Sequence, residues 1–322
     1  MSSAQPDAET LHAAIAMAIR APSVHNSQPW RWRINRRTVD LYADPGRHLV
    51  ATDPQQRGLV LSCGAALHHF RVALAMLGWS ATVTYLPDSA DADHLATVEF
   101  APHEPAPADF ELSAAILHRQ SDRRRYSSWQ IPAGYLRTIA SRATHYGAAV
   151  RHVPEGLRAS LARPAREAAA RHAVDHEYQL ELAEWSGRRG TPDGVPAVNS
   201  PRPQPGEQIP VRAFAEPDLP DRTMHPDAAE WLVVCTAADD RTSRVHAGEA
   251  ISAALLTATD LGLSSCLQTE PLGLPELRAD IRTHVLYDCA YPQAMVRVGW
   301  VPTCAAPLPQ TPRRPVAEVI DQ

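Results

Sequence analysis

The sequence predicts an α+β fold assembled from two related halves. Three observations carry this. Strand-like segments that alternate apolar and polar residues occur on both sides of a proline-rich stretch, Ala101-Pro-His-Glu-Pro-Ala-Pro-Ala-Asp109. Each side also has an apolar helical segment. The two helices resemble each other: Gly64-Ala-Ala-Leu…Met-Leu-Gly78-Trp-Ser80 matches Gly248-Glu-Ala-Ile…Asp-Leu-Gly262-Leu-Ser264, with glycines fourteen residues apart in both.

Taken in order, residues 8–20 form a short Ala-rich helix that stops before Pro22. Trp30-Arg-Trp-Arg-Ile34 and Thr38-Val-Asp-Leu-Tyr42 alternate across a polar break, as in a hairpin. Residues 58–78 are an apolar helix ended by Gly78, and 80–86 and 94–100 are strands. After the proline-rich stretch, helices are expected at 109–119 and 133–145, a strand near 148–153, and one long charged helix over 155–185. Residues 186–226 hold nine prolines and no periodicity. Strand 231–236, helix 243–261, helix 275–283 and strand 294–300 complete the chain. The halves divide as 1–104, the shorter, and 105–322.

Composition excludes several chemistries. All 31 basic residues are arginine. Without lysine there is no Schiff-base chemistry and no P-loop lysine, so a bound phosphate is held by arginine or backbone N–H groups. A net charge of −5 with interspersed signs leaves no footprint for nucleic acid or a membrane surface. Five cysteines, an odd number without CxxC spacing, read as thiols in a reducing cytoplasm. The polar start reads as no signal peptide, and no apolar run approaches the roughly 18 residues of a membrane span. GxGxxG, HExxH and GxSxG are absent, and adjacent His68 and His69 cannot both face one metal from a helix, so no metal site is expected.

Four segments carry chemistry. In Pro22-Ser-Val-His-Asn-Ser-Gln-Pro-Trp30, Ser23, Asn26 and Gln28 offer donors and acceptors on a loop stiffened by two prolines. By residue type alone this is equally a Ser/Asn turn ahead of a core tryptophan. Arg119-Gln-Ser-Asp-Arg123-Arg-Arg-Tyr126 suits a phosphate dianion, with Arg119, Ser121 and Arg123 in alternate positions. Alone, it also reads as a solvated basic turn. Gly262-Leu-Ser264-Ser265-Cys-Leu-Gln-Thr269-Glu270 is a helix end running into a buried strand. The tail holds Val298-Gly-Trp-Val-Pro302 and Thr311-Pro-Arg313-Arg314-Pro.

The first segment resembles the flavin-contact motif "aPSxxNxQPW" of the nitroreductase superfamily, and the other three resemble its phosphate motif, its "GLGSCxxG" strand and its "iGyP…p..R.p" ending. The blend is similar to the Acg-type members, in which two nitroreductase-like halves are fused. The resemblance implies a three-layer α/β/α pseudo-dimer and non-covalent FMN held by Pro22, Ser23, Asn26, Gln28, Arg119, Ser121, Arg123, Ser264, Ser265, Thr269, Arg313 and Arg314. Tyr126 sits one residue late, which leaves Arg123 or Arg125, and likewise Arg313 or Arg314, as the phosphate ligand. Thr269 and Glu270 replace the usual glycines.

The first half has the ring-contact loop without the arginine motif, and the second half has the reverse. Two incomplete halves imply one complete site, hence one FMN in a monomer. Residues 186–226 are then a lid or a plain surface loop. The cofactor carries the redox chemistry and no acid–base side chain is required, so no catalytic residue is assigned. Two functions follow: NAD(P)H-dependent reduction of nitro compounds or quinones, a small-molecule electron acceptor being the partner, or a lidded flavin store with little turnover.

Overall fold

The repeat seen in the sequence is a repeat of topology. In the computed structural model, which describes residues 5–204, 207–221, 223 and 227–321, the chain begins with α1 (Ala8–Ala18) and the hairpin β1 (Trp30–Ile34) and β2 (Thr38–Ala43). Then come α2 (Arg57–Met76), β3 (Trp79–Tyr85) and β4 (His94–Pro102). Next are α3 (Pro107–His118), α4 (Ala133–Thr144), β5 (Ala149–Val153), α5 (Arg158–Val174) and α6 (His176–Glu184). Two short strands, β6 (Ser186–Arg188) and β7 (Val195–Pro196), precede β8 (Glu230–Thr236). The chain continues through α7 (Arg241–Asp260), β9 (Ser264–Gln268), α8 (Pro275–Leu286) and β10 (Tyr291–Gly299).

The two four-stranded sheets run β1-β2-β4-β3 and β5-β8-β10-β9, with every pairing antiparallel. Strand, strand, helix, strand, strand is thus built twice in one order. Aligning α2 with α7 places Gly64 on Gly248, and these two helices make the most extensive contact between elements.

The layers follow from period-two burial. Leu232 and Val234 of β8, with Val296 and Val298 of β10, face the cluster shared with α4 and α7. Trp231 and Val233, with Met295, face the opposite cluster with α5 and α8. The second half is therefore α/β/α. In the first half Trp79, Ala81 and Val83 turn inward to α1 and α2 while Ser80, Thr82 and Thr84 are exposed. Among the described residues no helix covers the outer face of β3, so the three-layer arrangement is seen in the second half.

Other details depart from the sequence reading. The helix expected over 155–185 is broken: a 3-10 turn at Glu155–Leu157 precedes α5, and Asp175 leaves helical geometry at ψ 109°. Its side chain accepts from the Tyr178 N–H and caps α6. Helix α2 is long and apolar enough to cross a membrane by length and composition, contrary to the sequence reading, but 83% of its apolar window is buried inside the protein. Within 186–226, residues 205, 206, 222 and 224–226 lie outside the described residues. The rest carries a parallel β6–β7 ladder, a 3-10 turn at Ala197–Asn199 and a Pro201–Leu219 bridge. The C-terminal tail returns to the first sheet: Trp32 N–H donates to Val319 O at 2.7 Å, and Asp321 N–H to Trp32 O at 2.7 Å.

Candidate functional site

The loop after α1 has unusual backbone. His25, Asn26 and Gln28 all adopt positive φ, at 47°, 55° and 51°. Such values are uncommon outside glycine and are tolerated where the surroundings fix them. Here the Ser23 hydroxyl accepts the Gln28 N–H at 3.0 Å, and Asn26 Nδ2 donates to Gly194 O at 3.0 Å and Pro312 O at 3.2 Å. The loop is clamped between the 186–226 segment and the C-terminal tail.

Beside it runs a cleft with two ends. The polar end, about 600 Å³, is lined by Arg20, Arg119, Arg123 and Arg313 with Ser121 and Asn199. Among the described residues no carboxylate lines it. Burial and then the neighbouring Arg20 and Arg123 depress Arg119 to about 10. Burial, Arg119 and Arg20 depress Arg313 to about 9. Arg119 Nε and Nη1 are buried without partners. These are cations gathered without an anion, at a cost in desolvation and mutual repulsion.

The other end, about 790 Å³, shares Pro22, Ser23, Ser121 and Arg123 with the first. Its walls are mainly apolar: Val24, Leu61 and Ala65, then Ile251, Cys266 and Leu267. Gly58 opens one wall, since a Cβ there would be driven into Val24 and lie 3.2 Å from Asp53 Oδ2. Gln268 lines this end, and its buried Nε2 has no partner. Phe214 and Arg212 of the 186–226 segment cover it; Phe214 lies edge-on to His25 at 5.6 Å and under the Arg123 guanidinium at 4.7 Å.

A charged network backs this end. Arg212 donates to His25 Nε2 and stands 3.7 Å from Glu270. Glu270 accepts from His172 Nδ1 at 2.9 Å and the Tyr178 hydroxyl at 3.4 Å. Burial works against the Glu270 charge, but Arg212 and His172 outweigh it and hold its carboxyl below the usual range. Burial and then Arg212 hold His25 well below the usual histidine value, so it is neutral. No group of three His, Cys, Asp or Glu that could hold a metal occurs among the described residues.

The chain is 46% identical over 321 residues to a Mycobacterium tuberculosis protein named "Putative NAD(P)H nitroreductase Rv3131", covering 98% of this chain and 92% of that one. It is 37% identical over 323 residues to "Putative NAD(P)H nitroreductase acg" of the same organism, covering 97% and 95%. The chain belongs to the nitroreductase family. No family model matches it. Among solved structures, an FMN-bound nitroreductase from Bacteroides fragilis is 18% identical with a TM-score of 0.40, covering 62% of this chain and 94% of that one. The nitroreductase NfnB from Mycobacterium smegmatis, solved with NADPH, is 15% identical at 0.42, covering 66% and 97%.

Against the set of contacts expected of a nitroreductase, the structure brings together Pro22, Ser23, Asn26, Arg119, Ser121, Arg123 and Arg313 at the polar end, and Thr269 at the apolar end. The two pairs of alternatives are placed differently. Arg123 lines the cleft, while Arg125 is not among its lining residues and its N–H donates to Asp221. Arg313 lines it, whereas Arg314 turns to Gln28 and Glu318.

Besides Arg314, three expected contacts lie outside the lining. Gln28 is fully buried and engaged: its Nε2 donates to Pro192 O at 2.8 Å and its Oε1 accepts the Arg314 N–H at 2.9 Å. Ser265 bridges Ser121, and its carbonyl accepts the Asp122 N–H at 2.9 Å, so its backbone sets the arginine loop. Ser264 pairs with Gly299 in the sheet. Sequence reasoning missed Arg20, Asn199, His25, Arg212 and Gln268. His25 and Gln268 sat inside motifs; Arg20, Asn199 and Arg212 belong to segments whose approach to the cleft is purely tertiary.

Proposed function

We propose that this chain is an FMN-dependent oxidoreductase that uses NAD(P)H to reduce a small electron acceptor such as a nitro compound or quinone, with one FMN per monomer. The observation that carries the reading is the continuity of the cleft: an arginine cluster with unsatisfied N–H groups joins a mainly apolar chamber through Pro22, Ser23, Ser121 and Arg123. A phosphate monoester fits the first, because guanidinium groups donate in pairs to its oxygens. A flat heteroaromatic ring fits the second, where Gln268 Nε2 awaits an acceptor. Arg119, Arg123 and Arg313 with Ser121 would hold the phosphate, and Ser23, Gln268 and Thr269 would meet the ring. FMN, when bound, supplies the two-electron transfer. The chain's own part is to orient the ring, neutralise the phosphate and keep water from the chamber beneath Phe214.

The division into 1–104 and 105–322 supports a single site. Superposing Gly64 on Gly248 carries Ala65, on the chamber wall, onto Glu249, and Ser62 onto His246. There Glu249 is fully buried and receives Arg71 and the Tyr85 hydroxyl, each at 2.6 Å, while the Tyr85 ring lies edge-on to His246 at 4.3 Å. We read this as the second ring position filled by side chains. The five unpaired cysteines suit the reducing cytoplasm.

A second reading, flavin storage, draws on the cover. Val195, Pro196 and Asn199 line the polar end, and Val211, Arg212 and Phe214 the apolar end. Anaerobic NADPH addition to the FMN-loaded protein separates the two. Bleaching at catalytic speed supports the oxidoreductase. Bleaching only by dithionite supports storage. Absence of flavin at any stoichiometry defeats both.

A further inference from the structure

Arg212 reaches the apolar end with a single long ion pair, its Nε standing 3.7 Å from Glu270 Oε2. Its side chain is 13% exposed, and it lines both the large chamber and a smaller adjoining one of about 320 Å³, reached past Val24, Gly58, Leu61 and Thr269. That ion pair is longer than a hydrogen bond, and the other carboxylate oxygen, Oε1, is engaged by His172 at 2.9 Å and Tyr178 at 3.4 Å. The other partner is His25 Nε2, a neutral acceptor. Since an arginine only donates, this contact fixes the imidazole proton on Nδ1, which is itself buried with no partner. Arg123 also lines this chamber, at the junction it shares with the polar end. The lining thus has two guanidinium groups, one shared carboxylate and an unused imidazole donor. That arrangement favours negative charge on whatever occupies the chamber beside the ring.

We infer that Arg212, oriented by His25 and Glu270, is the residue that selects the electron acceptor, and that the preferred acceptors are planar aromatic compounds bearing a carboxylate or similar anionic oxygen group. This rests on the FMN reading above. A guanidinium meets two carboxylate oxygens with two parallel donors, which a neutral amide substituent cannot match.

The test uses the FMN-loaded full chain and two non-reducible probes of equal size, benzoate and benzamide, read by perturbation of the visible flavin spectrum. Benzoate is expected to bind wild type at least tenfold tighter than benzamide. Arg212→Gln should abolish that preference, weakening benzoate at least tenfold and leaving benzamide within about twofold. Arg212→Lys should keep most of it. FMN content should stay at one per chain in both variants. Equal binding of the probes by wild type, or an unchanged preference in Arg212→Gln, would overturn the inference. Loss of FMN from Arg212→Gln would also overturn it, by reassigning the residue to the cofactor. A wild-type chain that takes up no FMN fails at the first step and defeats the function reading itself.

Discussion

Gly64 and Gly248 face each other where α2 crosses α7. A Cβ built on Gly248 would lie 2.8 Å from the Gly64 Cα, and one built on Gly64 would lie 3.0 Å from the Gly248 Cα and still closer to the Val245 carbonyl. The obstacle in each case is backbone, which cannot rotate aside as a side chain can. The crossing sets the separation of the two halves and therefore the width of the chamber, because Leu61 and Ala65 on one helix and Ile251 on the other are its walls.

Gly64→Ala or Gly248→Ala is accordingly expected to destabilise the protein by about 1–3 kcal/mol, the usual range for overfilling a close contact, despite alanine's better helix propensity. Thermal unfolding should show a lowered Tm for both. An unchanged or raised Tm would mean that the helices can separate freely and that the crossing does not set the chamber.

The arginine cluster predicts opposite effects on binding and on stability. Arg119→Ala and Arg313→Ala each remove charged donors to the phosphate, at roughly 1.5–3 kcal/mol, or about 10–100-fold in FMN affinity. Riboflavin, without the phosphate, should bind the variants as it binds wild type. Flavin-free Arg119→Ala should be no less thermostable than the flavin-free parent, since it relieves repulsion among buried cations, whereas Arg313→Ala also strands the Ile19 and Arg20 carbonyls that Arg313 holds at 2.9 and 3.0 Å. Fluorescence titration with the two flavins checks the first part and calorimetry the second.

Three buried histidines make the fold sensitive to acid. His25 and His69 are held well below the usual value, chiefly by burial, and burial likewise lowers His68 to about 3. Ser252 Oγ lies 2.7 Å from His68 Nδ1 and 2.8 Å from His69 Nδ1. One hydroxyl can donate to one ring and accept from the other only while the accepting ring is neutral. The unfolded chain binds these protons as pH falls through about 6.5, whereas the folded chain refuses them. Stability therefore declines below that pH and continues to decline towards the folded values, at about 2 kcal/mol per histidine between pH 7 and pH 5. Urea unfolding across that range checks the slope, and His68→Asn or His69→Asn should flatten it.

Much of this was legible in the sequence because it is local. The glycine-bounded helices, the alternating strands and the run Pro22–Trp30 declare themselves within ten or twenty residues. The alternation of Arg119, Ser121 and Arg123 also predicts a shared face, which the intervening Asp122–Arg124 pair, turned the other way at 2.8 Å, respects. What could not be read is tertiary. Nothing near Arg212 announces that it will meet His25. The break at Asp175 was hidden because an N-cap aspartate and a helix-interior one look alike in a charged stretch. The role expected of Gln28 changed because its amide is fully used by Pro192 and Arg314, two segments distant in the sequence.

That change gives the last prediction. Gln28 is not itself among the lining residues of the cleft but joins the ring-side loop to both the 186–226 segment and the tail, through Pro192 O and the Arg314 N–H. Gln28→Ala leaves that carbonyl and that N–H without partners, at about 1–3 kcal/mol for each group that remains buried. Ser264, by contrast, sits in the β9 ladder opposite Gly299, outside the lining. Ser264→Ala should leave FMN affinity within about twofold of wild type. Gln28→Ala should lower Tm and speed proteolysis in 186–204, with flavin affinity falling only as the loop loosens. Riboflavin and FMN should then weaken in equal proportion, since the defect lies at the ring side and not at the phosphate. A loss confined to FMN, or a Gln28→Ala protein as stable as its parent, would show that Gln28 does not hold the loop, and would return it to the list of direct contacts.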